Sequence, residues 1–169
     1  MRYLLFSLLF IFTIGTYAQN MEHEKRYRAA LKTANQGNHE EAIKEFSSIL
    51  AEDPEHFNSY LQRGFSNSML ENYEEAIVDF STAIEMRPNH SWAYKNRGAS
   101  YSKLGKYELA IDDFTKMLEF EPESEEALLN RGFAKKAKGD KEGACEDWYQ
   151  AKKNGSARAK LVIKNNSCK

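Results

Sequence analysis

Three couples of opposite charge recur along the chain: Arg63 with Asp79, Arg97 with Asp113, and Arg131 with Asp147, each 16 residues apart. Arginine suits such a couple because its planar fork can hold a carboxylate through two parallel hydrogen bonds. Evenly spaced couples serve either as a ladder of ligand contacts or as a set of internal ion pairs. The two cysteines, Cys145 and Cys168, form a disulfide in an oxidising compartment and stay free thiols elsewhere. The four histidines, His23, His39, His56 and His90, are scattered. No His-Glu-x-x-His or Cys-x-x-Cys spacing, glycine-rich phosphate loop or Gly-x-Ser-x-Gly elbow is present. The pattern therefore calls for no catalytic residue, metal or cofactor. Acidic doublets such as Glu40-Glu41 and Glu74-Glu75 suit helix beginnings, where they answer the helix dipole.

The elements that must position these residues are set by a repeat. Pro54, Pro88 and Pro122 lie 34 residues apart, as do Gly64, Gly98 and Gly132, each glycine preceded by an arginine. Ala42, Ala76, Ala110 and Ala144 keep the same period, followed by Phe46, Phe80, Phe114 and Trp148. Each unit reads as two amphipathic helices joined by a tight turn. Tyr94, Gly98 and Tyr101 fall on one helical stripe; Ala110, Ile111, Phe114 and Leu118 form the apolar face of a second helix. Gly105 breaks the first helix, and Glu121-Pro122 stops the second because the residue before proline is pushed from helical angles.

A small residue, an aromatic, an alanine, a second aromatic and a closing proline in a 34-residue helix-turn-helix resemble the tetratricopeptide-repeat (TPR) family. The resemblance implies an all-α fold, a TPR solenoid of four repeats at about 21–54, 55–88, 89–122 and 123–155. Residues 156–169 then supply a capping helix and tail. The first repeat departs from the others, with Ala29-Ala30 for Arg-Gly and Glu45 for the aspartate; the fourth lacks its proline. Family geometry puts the arginine and aspartate series at the seam between paired helices, as buried or half-buried ion pairs. The family's groove positions fall on Tyr27, Leu31, Leu61, Phe65, Trp92, Lys95, Asn96, Leu129, Asn130, Phe133 and Lys136, of which Leu31 and Leu129 suit packing between repeats. Such a groove implies a non-enzymatic scaffold or adaptor binding a protein or peptide of unstated identity. The lysine and asparagine clamp by which some TPR proteins hold a terminal carboxylate is absent. Self-assembly into a weak homo-oligomer is the alternative, and an accessory cell-envelope enzyme a remote one.

The first eighteen residues are a different material. Met1-Arg2 precedes an apolar run, Tyr3 to Ile14, that ends in Gly15-Thr16-Tyr17-Ala18. This is the form of a cleaved signal peptide, with cleavage after Ala18. About a dozen apolar residues would span only ~18 Å as a helix, short of the ~30 Å of a bilayer core. The expectation is export to a periplasm or the extracellular space, in a bacterial cell, with no membrane insertion after cleavage. Export favours the disulfide, since a helix over 156–166 running back antiparallel would bring Cys168 toward Cys145. With 24 basic and 25 acidic side chains, overall charge gives no pull toward nucleic acid.

Overall fold

The computed structural model describes residues 21–168. The expected signal segment, 1–18, lies outside the described residues. The described residues form nine helices and no strand. The first, α1, runs to residue 35 and is followed by α2 (His39–Glu52), α3 (Phe57–Met69), α4 (Tyr73–Met86) and α5 (Ser91–Lys103). Then come α6 (Tyr107–Phe120), α7 (Glu125–Lys138), α8 (Lys141–Lys153) and α9 (Ala157–Asn165).

The turns within each hairpin are made by one residue in the left-handed region. Gly37, Gly105 and Gly139 take it with φ of 85°, 73° and 105°, and Glu71 takes it at the same register with φ 64°. A side chain there is unfavourable, so the second repeat holds its turn against local preference. Between repeats, α2, α4 and α6 end one residue before Asp53, Arg87 and Glu121, each of which precedes a proline.

Packing follows the small–large alternation of the sequence. A Cβ on Gly64 would sit 3.0 Å from Asp79 Cβ, and one on Gly98 would sit 3.1 Å from Asp113 Cβ. The paired helices therefore cross where only glycine fits, and Phe80 and Phe114, wholly buried, fill the space beside them. In the last hairpin Trp148 takes the phenylalanine position, and its indole N–H donates to Leu129 O at 3.3 Å. The core is a relay of adjoining clusters, one shared between each hairpin and the next. Each helix packs on its sequence neighbours, and α3 also reaches α5, and α5 reaches α7. The odd-numbered helices thus form one continuous inner row, as expected of a stack that curves toward them.

Candidate interaction surface

Charge organises the seam first. Arg97 Nε and Nη2 donate to the two carboxylate oxygens of Asp113 at 2.9 and 2.7 Å, while Nη1 donates to Ser81 Oγ at 3.0 Å. Arg63 repeats this on Asp79, at 3.0 and 2.7 Å, and on Ser47. Arg131 repeats it on Asp147 and Thr115. Each arginine joins the two helices of its own hairpin and ties them to the second helix of the hairpin before. The hydroxyls at 47, 81 and 115 keep the same 34-residue step. That step is the signal by which the sequence could have disclosed them.

These groups are built into the stack rather than presented to a ligand. Side-chain exposure is 19% for Arg97 and 5% for Asp113. Burial pushes the Asp79 and Asp113 carboxyls above the usual aspartate range, despite the arginines that oppose it. Burial also works against the Arg97 charge, but there the bonds and charge of Asp113 prevail and its pKa is raised. The asymmetry follows from depth: the aspartate lies deeper than the arginine, so desolvation wins at one end of the pair and hydrogen bonding at the other.

The inner row carries the other candidates, and the structure divides them. Phe65 and Trp92 are half-buried and pack together across α3 and α5 with ring centroids 5.9 Å apart; His39 adjoins Phe65 at 6.4 Å. Lys95 reaches from α5 to Glu126 of α7 at 3.3 Å. Asn96 turns its amide N–H back to Trp92 O at 2.7 Å, and Asn130 is half-buried with no side-chain hydrogen bond among the described residues. Phe133 packs on Trp148 and lies beneath the Arg158 guanidinium of α9, 5.7 Å from its ring centroid. Lys136 bonds Asn166 beyond the end of α9. Tyr27 is half-buried against Phe46 and His56, and Leu31 is half-buried too.

Leu61 requires correction as a surface contact. It is 5% exposed and belongs to the cluster of Phe57, Phe80 and Ala83, because a branched apolar side chain between two hairpins gains more by packing than by facing water. Leu129 is equally buried. Two exposed inner residues were missed by sequence reading: Arg158 on Phe133, and Leu161, which is 64% exposed. Both sit on the tail helix, where the 34-residue register no longer marks positions.

Cys145 and Cys168 are joined in a disulfide, with Cα atoms 5.7 Å apart. The Tyr149 hydroxyl donates to Cys168 O at 3.2 Å beside it. Ala159 and Ile163 of α9 pack on Leu128, Leu129, Trp148 and Ala151, so the tail helix covers the end of the apolar stack.

Two models of the tetratricopeptide repeat match the chain, at residues 57–90 and 91–124. The chain is a tetratricopeptide-repeat protein. Among solved structures, a crystal structure of MamA matches with TM-score 0.76 and 22% identity, covering 82% of this chain and 81% of that one. MamA 41-end from Desulfovibrio magneticus RS-1 matches with TM-score 0.76 and 23% identity, over 78% of this chain and 75% of that one. The first TPR of Spaghetti (RPAP3) bound to HSP90 peptide SRMEEVD matches with TM-score 0.67 and 26% identity, over 69% of this chain and 93% of that one. No curated protein matches. The solved relatives give the fold of this TPR chain: a solenoid of helical hairpins.

Proposed function

We propose that this TPR protein is an interaction scaffold that binds a segment of a partner protein along its inner row of odd-numbered helices. The observation that carries the reading is a division of labour. The strongest charged groups are consumed by the seam, whereas the inner row keeps half-buried aromatics, amides and a lysine at spaced positions with solvent access. Aromatic side chains in shallow pockets provide affinity, and amides can bond a guest backbone. That a TPR relative has been solved with a peptide bound supports the same use of the fold. No group of three His, Cys, Asp or Glu side chains among the described residues is placed to hold a metal.

Export is part of the proposal. The disulfide suits an oxidising compartment, and no described helix is long and apolar enough to cross a membrane. The apolar segment before residue 19 then directs the chain to a periplasm or out of the cell, where its partner would be an envelope or secreted protein.

The test is capture of partners from envelope and secreted fractions by the tagged protein and by a Lys95→Glu/Asn130→Glu variant. Both positions face solvent enough to accept the change without opening the core. A protein held by the parent and lost with the variant supports the inner row; equal capture by both contradicts it.

A further inference from the structure

Charge is unevenly distributed along the chain. Residues 21–130 carry 21 acidic side chains against 12 basic ones, whereas residues 131–168 carry 10 basic against 4 acidic. The basic excess lies on the last three helices, and a cavity of about 250 Å³ opens among them. Lys136 of α7, Lys141 of α8, and Asn165, Asn166 and Ser167 at the end of α9 line it over a floor of Trp148. No carboxylate lines this cavity. Its polar side chains are two cations, two amides and a hydroxyl.

The neighbouring lysines show why these two matter. Lys135 is paired with Asp147 at 2.9 Å, and Lys138 with Glu108 at 3.4 Å. Lys136 and Lys141 have no carboxylate partner among the described residues, and both border the same cavity. The cavity's wall is held in place by covalent means: Cys145 lines it, and its bond to Cys168 fixes the chain at 165–167. Nearby, Arg158, Lys160 and Lys164 of α9 also lack acidic partners among the described residues, extending the positive field along the tail helix.

We propose that this cavity docks an aspartate- or glutamate-rich stretch of the partner, with one carboxylate seated between Lys136 and Lys141. The inference rests on the scaffold reading and deepens it by naming the partner's chemistry at one end of the inner row. Lys136 belongs to that row, so a segment lying along it meets the cavity as it leaves the last hairpin. The amides of Asn165 and Asn166 and the Ser167 hydroxyl add hydrogen bonds that a carboxylate can accept.

The experiment is a titration of the ¹⁵N-labelled full-length protein, disulfide intact, with a capped peptide of alternating glutamate and alanine. A glutamine–alanine peptide is the control. The expected result is amide shifts centred on 136, 141 and 165–167, from the glutamate peptide alone. Affinity should fall roughly tenfold in Lys136→Gln/Lys141→Gln and recover in Lys136→Arg/Lys141→Arg, which keeps the charge and reports a folded protein. Shifts elsewhere only, or equal shifts from the glutamine peptide, overturn the proposal. Shifts that grow with protein concentration in the absence of peptide overturn it too, by naming the acidic half of a second copy as occupant. Against the captured partner, loss with Lys95→Glu/Asn130→Glu but not with Lys136→Gln/Lys141→Gln removes the acidic dock and leaves the scaffold reading standing.

Discussion

The first hairpin and the three that follow use the same fold with different fastenings. From the second hairpin onward, an arginine fork grips its own aspartate and reaches back to a hydroxyl of the preceding hairpin. In the first, Ala29 stands where the arginine would be and Glu45 where the aspartate would be. The Glu45 Oε2 atom is buried without a hydrogen-bond partner among the described residues, beside a space of about 160 Å³ bordered by Ala29, Arg26 and Ser48. Arg26 fastens this hairpin at its rim instead, donating to Glu52 at 2.8 and 2.7 Å and to Ser48 at 2.7 Å, with His23 alongside. The opposite end carries more than the repeat requires: the third clamp, Lys135 on the same aspartate, a disulfide and a covering helix. A solenoid's stability is close to a sum of unit and interface terms. The chain should therefore be loosest at α1 and α2 and tightest at α7 to α9.

The strongest way to break this contrast is to cut the covalent fastening. Cys145→Ser/Cys168→Ser, or reduction of the parent, removes closure of a loop of about 20 residues and should lower stability by about 3 kcal/mol. Hydrogen exchange should show the loss concentrated in α9 and α8; unchanged protection of α9 would mean that its apolar face alone holds it.

Next comes the internal clamp. Arg97→Ala leaves Asp113 buried without its partner. Breaking a fully buried pair costs ~3–5 kcal/mol, and the partial exposure of this arginine reduces that to about 2 kcal/mol. The melting temperature should fall by roughly 5 °C. A melting curve that overlays the parent would remove the clamp from the account.

Building the missing clamp should act in the other direction. Ala29→Arg/Glu45→Asp supplies a partner for a buried, unpaired carboxylate and should stabilise the first hairpin by about 1 kcal/mol. Exchange from α1 should slow relative to the parent; faster exchange would show that the space beside Glu45 cannot admit a guanidinium.

The smallest effect is one of pH. The Arg26 hydrogen bond, followed by that of His23, holds the Glu52 carboxyl below its usual range. Its stabilisation is present above the ordinary glutamate range and is lost as pH falls through the lowered value. Asp79 and Asp113 have the opposite sign, since burial raises them, and acidification through the carboxylate range does not withdraw stability through those two groups. Acid should therefore open α1 before the α3–α6 seam, as read by exchange at stepped pH. Simultaneous opening would contradict the assignment.

Much of this was legible in the sequence because the repeat is self-checking. Gly64, Gly98 and Gly132 fall 34 residues apart beside residues that only a close helix crossing explains, and the hairpins follow. The arginine and aspartate series was legible too, as was the approach of Cys168 to Cys145. Leu61 was not, because occupying an inner-row position does not say whether a side chain faces outward or leans into the neighbouring hairpin. Nor was the cavity under the tail: Lys136, Lys141 and Asn166 come from three helices, and only the packing of α9 brings them together. The Arg26–Glu52 fastening was equally invisible, being one of many possible surface pairs 26 residues apart.

The most direct test of the central claim places a photo-crosslinking residue at Asn130, on the inner row, and in a second protein at Val78, 64% exposed on α4. Each is irradiated with the partner present. The account predicts that the partner is joined to position 130 and not to position 78. A crosslink from position 78 with none from position 130 would put the binding surface on the outer helices and contradict it.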